Sequence, residues 1–519
     1  MSETLSGSSA RLFRSRRGRG ALFGAACLFA AAACTDTAVP YFDSPTSVPG
    51  TAGGIQNAVT GLFSGTRIDV EWYVYFDGAY ARDLFWYLGS SANVVYDVAG
   101  LKAFDVVKNT IASSEDWDNE YAQIKAANNI LATLPKVTTY TKAQAEAIWG
   151  IVQTVKAIDF LQVAETRDTL GVPLYSMDGN PADPPYCNQD VWKYIVALLD
   201  SANDSLDVAG SVSLPVAVPP GFASVGASAG PGSTPGAFAA FNRALAGKAN
   251  LELAYAIARS APGTHPTPTT PGNPNLAALT TAAAELDSSA LYDPAAITPP
   301  NAGAFSLDAH GVYHTFSGQS GDVANPFVAP FYQYNALQDL AYDVDTLNDL
   351  RWLNKFAPNP VANGLTEYAS TSDQKVFVPY KTVTGPIPIV RAEELALVMA
   401  QVQLGLGNFA NAITLINQVH MQAGGFTAPL SIASTYTAVR DSLLKEQRIS
   451  TVFEGSGDRM IALRMYGLEA VADTTWQATS GPDAVDAKAL GGVDYHQTIS
   501  PVPFQELSAR GGAWNPTCP

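Results

Sequence analysis

Two amphipathic runs lying one after the other constrain this chain more than any other feature of its sequence. From Trp117 to Val137 the apolar residues Tyr121, Ile124, Ala127, Leu131 and Leu134 recur at three- and four-residue steps, and Pro135 stops the run. That period predicts an amphipathic helix. A second stripe starts at Lys142, carries Ile148, Ile151, Val155, Ile158 and Leu161, and ends before the strand-like Gly171-Val172-Pro173-Leu174. Helices joined by so short a loop bury their apolar faces by folding back as a hairpin. Further helical patterns cover Asp190 to Leu206, Ala237 to Ala258, Asn275 to Ser289, Arg391 to Leu406, Asn408 to Ala423 and Thr437 to Leu463. Leu406-Gly407-Asn408-Phe409-Ala410-Asn411-Ala412 looks like the turn of a tetratricopeptide repeat, where Gly permits a tight turn and small Ala residues let helices approach. The expected class is mainly α: tetratricopeptide-like helix pairs beside a large irregular half. Long Pro-, Gly- and Ser-rich stretches at Ala209 to Gly236, Ala261 to Pro274 and Tyr292 to Asp345 supply that half. Loops of this length on a helical scaffold are where binding surfaces are usually found.

The N-terminus reads as an export signal. Arg11, Arg14, Arg16, Arg17 and Arg19 precede an apolar run from Ala21 to Ala33, which ends in small residues before Cys34. A run of this length does not span a bilayer, and small residues suit a signal peptidase. Residues 1–33 are therefore expected to be removed. The pattern resembles a bacterial lipobox, which makes Cys34 the expected lipidated N-terminus. Ala31 stands where such motifs usually carry Leu; Cys27 is a rival site, and a plain cleaved signal with a free thiol is the alternative reading. Residues 34–54 read as a flexible tether, and 55–519 as a single body, with an N-terminal part to about 290 and a C-terminal part from about 291. Beyond the leader no apolar run reads as long and uninterrupted enough to span a membrane.

Removing residues 1–33 leaves 25 basic against 46 acidic residues, a net charge near −21. Such a surface repels phosphate backbones and anionic headgroups, which argues against nucleic-acid binding and leaves membrane attachment to the lipid. With Cys27 in the leader and Cys34 assigned to lipid, Cys187 and Cys518 remain, and an oxidising compartment would permit them to pair. Sequence leaves open whether they do.

Motifs for catalysis are poor. Gly226-Ala227-Ser228-Ala229-Gly230 matches the G-x-S-x-G elbow, but Pro219, Pro220, Pro231 and Pro235 surround it and no apolar strand leads in. None of His265, His310, His314, His420 and His496 belongs to an HExxH motif, and no P-loop or CxxC occurs, so no metal or cofactor is expected. Asp343, Asp345, Asn348 and Asp349 are hard oxygen ligands at close spacing that a calcium ion could use, although the EF-hand glycine and final Glu are missing. A helix N-cap and a solvated turn account for the same residues and are the preferred reading. Aromatics are the better candidates, because sugar rings stack apolar C–H faces on Trp and Tyr. The segments Glu71 to Asp97 and Gly311 to Tyr342 hold Trp72, Tyr73, Trp86, Tyr87, Tyr313, Tyr332 and Tyr334. Loop-like placement singles out Trp86, Tyr87, Tyr313, Tyr332 and Tyr334 as ligand-binding candidates, with core burial the competing fate of each.

Four segments, taken in order, resemble the SusD/RagB family. The lipid signal comes first, followed by the paired helices ending near Gly171-Val172-Pro173-Leu174. Next is PIPIVRAEELALVMAQVQLGLGNFANAITLINQVHMQAG from Pro386 to Gly424, and then LLKEQRISTVFEGSGDRMIALRMYG from Leu443 to Gly467. The closing ISPVPFQELSARGGAWNP from Ile499 to Pro516 is similar to the family's C-terminus. Gln401, His420, Gln422 and Ser456-Gly457-Asp458 depart from the family pattern. The resemblance implies a SusD-like helical fold and an outer-membrane lipoprotein facing the cell exterior. It implies a protein that is not an enzyme, binding oligosaccharide or sometimes peptide on its loop-rich face and passing it to a SusC-like TonB-dependent transporter. Within the matching segments Arg391, Glu394, Glu446, Arg448, Glu454, Arg459 and Arg464 are expected to form ion pairs that fix helix register, since a buried charge left unpaired costs several kcal/mol. A lipid-anchored glycan hydrolase and a helical scaffold for protein partners are the competing readings.

Overall fold

The computed structural model describes residues 48–68, 70–80, 84–86, 116–174, 183–223, 234–260, 263–307, 310–328, 334–336, 348–358, 375–454, 458–468 and 499–516. The compact body spans Ser47–Pro519 and is separate from Met1–Thr46. The lipidation candidate Cys34 lies outside the described residues.

Helices α1 (Ala52–Gly65), α2 (Val70–Tyr80), α3 (Asp118–Thr133), α4 (Lys142–Arg167) and α5 (Asn188–Ala209) make the first part of the scaffold. The expected hairpin is α3 with α4. Asp118 and Glu120 sit in the first turn of α3, where carboxylates favour the helix dipole, and a 3₁₀ turn containing Pro135 ends it. Thr141 opens α4 with a capping box: its hydroxyl accepts from the Gln144 amide at 3.2 Å, and the Gln144 side chain accepts from the Thr141 amide at 3.0 Å. Thr51 caps α1, which begins at Ala52. By length and composition α4 could cross a membrane, which corrects the sequence reading, yet protein buries nearly all of it.

The remaining helices are α6 (Pro235–Ser260), α7 (Leu276–Ser288), α8 (Leu350–Lys355), α9 (Ala392–Gly405), α10 (Phe409–Gln422), α11 (Tyr436–Thr451), α12 (Asp458–Met465) and α13 (Phe504–Ala509). Helices pack neighbour to neighbour along the chain, α4 on α5, α5 on α6, α6 on α7, α7 on α9 and α9 on α10. This is the layered stacking of helix pairs that the turn at Gly407 suggested, and Gly407 does adopt a φ of +77° between α9 and α10. The single helix expected over Thr437 to Leu463 is two: α11 stops at Thr451, and Phe453 follows with a φ of +57°, a left-handed conformation that no helix continues through.

The described strands are short, two to five residues each. Strands β1 (Leu84–Trp86), β5 (Tyr334–Ala336), β7 (Lys375–Phe377) and β6 (Phe356–Pro358) form an antiparallel sheet in the order β1-β5-β7-β6. Two further pairs are β2 (Val172–Pro173) with β3 (Pro185–Tyr186) and β4 (Gly311–His314) with β8 (Ile387–Arg391). The helix layers share one large apolar core, and the irregular half has a second, aromatic core built around Phe305, Phe327, Phe377, Tyr380 and Phe453.

Candidate ligand-binding face

The geometry of the loop-rich half starts from three residues one helical turn apart. Glu446 and Ser450 lie on α11 and Glu454 follows its end, and all three are buried. Glu454 takes two hydrogen bonds from the guanidinium of Arg391, at 2.8 and 2.9 Å, and one from Lys355 Nζ at 2.6 Å. Lys355 Nζ also donates to the backbone carbonyls of Ile449 and Ser450, at 3.2 and 2.7 Å. Arg351 Nη1 donates to Ser450 Oγ at 2.9 Å, and its Nη2 makes a 2.7 Å ion pair with Glu446, which also meets His420 Nδ1 at 3.0 Å. Burial alone would neutralise such groups; here the cations outweigh it. Glu446 is pulled below the usual carboxylate range because the His420 hydrogen bond and the Arg351 charge overcome burial, and Glu393 is lowered likewise by Arg391, Lys355 and Arg351. Lys355, fully enclosed at 0% exposure, is lowered by burial even beside Glu454.

This array sets where the four-stranded sheet lies. Lys355 is the last residue of α8 and β6 begins at the next residue, so the cation clamped onto α11 holds the start of that strand. From β6 the ladder runs through β7 and β5 to β1, and in its register Trp86 stands opposite Tyr334. Two candidate aromatics some 250 positions apart in sequence are thus brought to the same rung of the sheet. Tyr87 and Tyr332 fall outside the described residues. Tyr313 is corrected: it lies on β4, is 1% exposed and belongs to the aromatic core, because β4 pairs with β8 rather than looping to the surface. Its neighbours Val312, His314, Thr315 and Phe316 are a β-branched and aromatic run, the signal that would have placed it in a strand.

The expected ion-pair residues divide between this array and a second cluster. Arg391, Glu446 and Glu454 belong to the array, and Arg448 is buried in the same helix. Glu394 pairs with Lys248 of α6 at 2.6 Å. Arg464 on α12 donates to the carbonyl of Glu165 on α4, and the Glu165 side chain accepts from the Tyr73 hydroxyl. Arg459 is half-buried. Sequence reasoning missed Arg351, Lys355, Lys248 and Glu165, whose partners named here are 92 or more positions away except for Asp349. Asp349 is the N-cap of α8: it accepts from the Arg351 amide at 2.9 Å and holds the Arg351 guanidinium at 2.7 and 3.0 Å. Its oxygens are committed, and it is buried instead of lying in a solvated turn. Asp343 and Asp345 lie outside the described residues, and among the described residues no group of His, Cys, Asp or Glu is placed to hold a metal. The G-x-S-x-G serine, Ser228, also lies outside them. His314 is buried and held down to about 3, by burial first and then by the Arg67 charge, so it is neutral across the ordinary pH range.

A small cavity lies among α4, α6, α9, α11 and α12, lined by the polar Glu165, Lys248, Glu252, Gln401 and Gln447 and closed by apolar residues such as Ile461 and Met465. Glu252 is 7% exposed and pushed up to about 8, by burial and then by the charge of Glu165. Cys187, just before α5, is disulfide-bonded.

No sequence-family model and no curated protein matches the chain. Solved structures do match. A SusD homolog from Bacteroides thetaiotaomicron superposes with a TM-score of 0.63 at 13% identity, covering 89% of this chain and 96% of that one. The chain has a SusD-like fold. Other SusD-like structures agree with it. Surface glycan-binding protein A from Bacteroides thetaiotaomicron, in complex with laminarihexaose, has a TM-score of 0.58 at 14% identity over 89% of this chain and 98% of that one. A laminarin-binding SusD-like protein has a TM-score of 0.55 at 15% identity, covering 87% and 97% of the two chains. The resemblance seen in the sequence is borne out as a fold.

Proposed function

We propose that this chain is a glycan-binding protein of the cell surface, held to the outer membrane by lipid on Cys34, that captures oligosaccharide and passes it to a TonB-dependent transporter. The observation that carries the reading is the SusD fold over nearly the whole length of a surface glycan-binding protein holding laminarihexaose. The sheet that places Trp86 opposite Tyr334 is the face we assign to the ligand, because a glycan needs aromatic platforms on a scaffold that does not move when it binds. The ion array behind β6 supports that requirement. Catalysis is not part of the reading: the buried carboxylates Asp349, Glu446 and Glu454 are engaged by Arg and Lys, and a glycosidase needs one carboxyl free to give a proton.

The test is isothermal titration of the lipid-free protein against a panel containing laminarihexaose, other oligosaccharides and peptides, with product analysis of each mixture. Binding of a glycan with no shortened product supports the reading, and Trp86→Ala should weaken it by about tenfold or more, the scale of one lost stacking contact. Release of shorter products points to a hydrolase, and binding of peptides alone to a peptide carrier. No binding at all, with the fold intact by circular dichroism, removes the proposal.

A further inference from the structure

The chain contains four cysteines, and Cys187 is bonded to one of the other three. We infer that the C-terminal segment is locked by a Cys187–Cys518 disulfide to the end of the first helix hairpin, and that the chain therefore completes its folding in an oxidising compartment.

Two observations place the partner. The C-terminal segment already lies along the α4–β2 junction: the Trp514 indole donates to the Leu170 carbonyl at 2.8 Å, its ring meets Trp117 edge-on at 6.1 Å, and Arg510 donates to the Asp183 carbonyl at 2.7 Å. Finally, a Cβ built at Gly171 would be crowded by the Tyr186 carbonyl oxygen and would stand 3.5 Å from Pro516 Cβ. Pro516 thus lies beside the residue that precedes Cys187. Cys518 lies outside the described residues; two residues of chain beyond Pro516 can span up to about 7 Å, and bridged cysteines hold their Cα atoms about 4.4–6.8 Å apart, so the chain leaving Pro516 is long enough to make the bridge.

Formation is a thiol–disulfide exchange. The thiolate of one cysteine attacks a sulfur of an oxidising disulfide, protein or small molecule, and releases one thiolate. The second cysteine then displaces the other, leaving the bridge, two reduced thiols on the oxidant and no net change in electrons. Because Cys518 lies 331 residues after Cys187, this bond can close only after the chain through Cys518 has emerged. It then holds the C-terminal segment even when the Trp514 contacts open.

The inference stands apart from any ligand and is tested on protein recovered from the membrane of exporting cells, with free thiols blocked before digestion. Trypsin cuts after Arg167, Lys193 and Arg510, so unreduced digests should contain peptide 168–193 joined to 511–519 and should lose that species on reduction. In Cys518→Ser, Cys187 should become reactive to maleimide in the unfolded chain, and the melting temperature should fall to that of reduced wild type. A peptide joining Cys187 to Cys27 or Cys34 overturns the inference, as does a free Cys187 thiol in the unreduced wild type or one still blocked in Cys518→Ser.

Discussion

Buried charge is the residue-scale problem this molecule solves most often, and it solves it in two ways. Around Glu454 and Glu446 the carboxylates are held in ion pairs and hydrogen bonds by Arg391, Lys355, Arg351 and His420, and removing one member would strand the others at a cost of about 3–5 kcal/mol. Glu252 takes the other route and keeps its proton, held up to about 8 by burial and by Glu165. The sign of its pH dependence follows. Between an unfolded value of about 4.3 and the folded value near 8, the unfolded chain ionises while the folded chain stays protonated. The folded state then binds the extra proton, and stability from this group falls as pH rises across that window, by up to about 1.4 kcal/mol per unit. Glu252→Gln keeps the shape and removes the proton, so urea unfolding at pH 5, 6.5 and 8 should show the variant gaining on wild type as pH increases. Parallel stabilities at the three pH values would mean that Glu252 is ionised in the fold.

At the scale of elements, helices were legible and strands were not, for a physical reason. A helix closes its hydrogen bonds within four residues, so stripes such as Ile148, Ile151, Val155 and Ile158 announce it locally. The strands here are two to five residues long and pair across great separations, Trp86 with Tyr334 and Val312 with Val390, and no local period records that. Tyr313 was misplaced for this reason, and Lys355 was invisible because its partner Glu454 lies 99 positions on. Helix contacts themselves are set by small residues. Gly150 of α4 lies where an added Cβ would stand 2.5 Å from Leu206 Cγ and 2.8 Å from the Ala202 carbonyl oxygen of α5. A helix normally gains about 0.5–1 kcal/mol when Gly becomes Ala, but overpacking against backbone costs about 1–3 kcal/mol. Gly150→Ala should therefore destabilise, read as a lower urea midpoint, whereas Gly61→Ala, with nothing within 4 Å of its Cβ, should not. Equal gains from both substitutions would show that α4 and α5 are free to move apart.

For the whole molecule the decisive quantity is charge, because it separates lipid from protein as the source of membrane attachment. Once residues 1–33 are removed the chain carries a net charge near −21. At physiological ionic strength the Debye length is about 8 Å, and an anionic leaflet repels such a surface rather than holding it. The one described helix long and apolar enough to cross a bilayer, α4, is enclosed by its neighbours and offers lipid no face. Under the proposed lipidation of Cys34, attachment would fall to acyl chains, whose strength comes from buried methylene groups at about 0.8 kcal/mol each, which salt does not weaken. Wild-type protein should stay with the membrane fraction through a high-salt wash and leave it only in detergent. Cys34→Ser should appear in the soluble exported fraction without any salt, while still folding and still binding its ligand. If Cys34→Ser remains membrane-bound and Cys27→Ser is released, the acylated thiol is seven residues earlier in the chain and the tether correspondingly longer. If both variants remain bound, the surface is held by contact with another protein, and the transporter is the first candidate to cross-link.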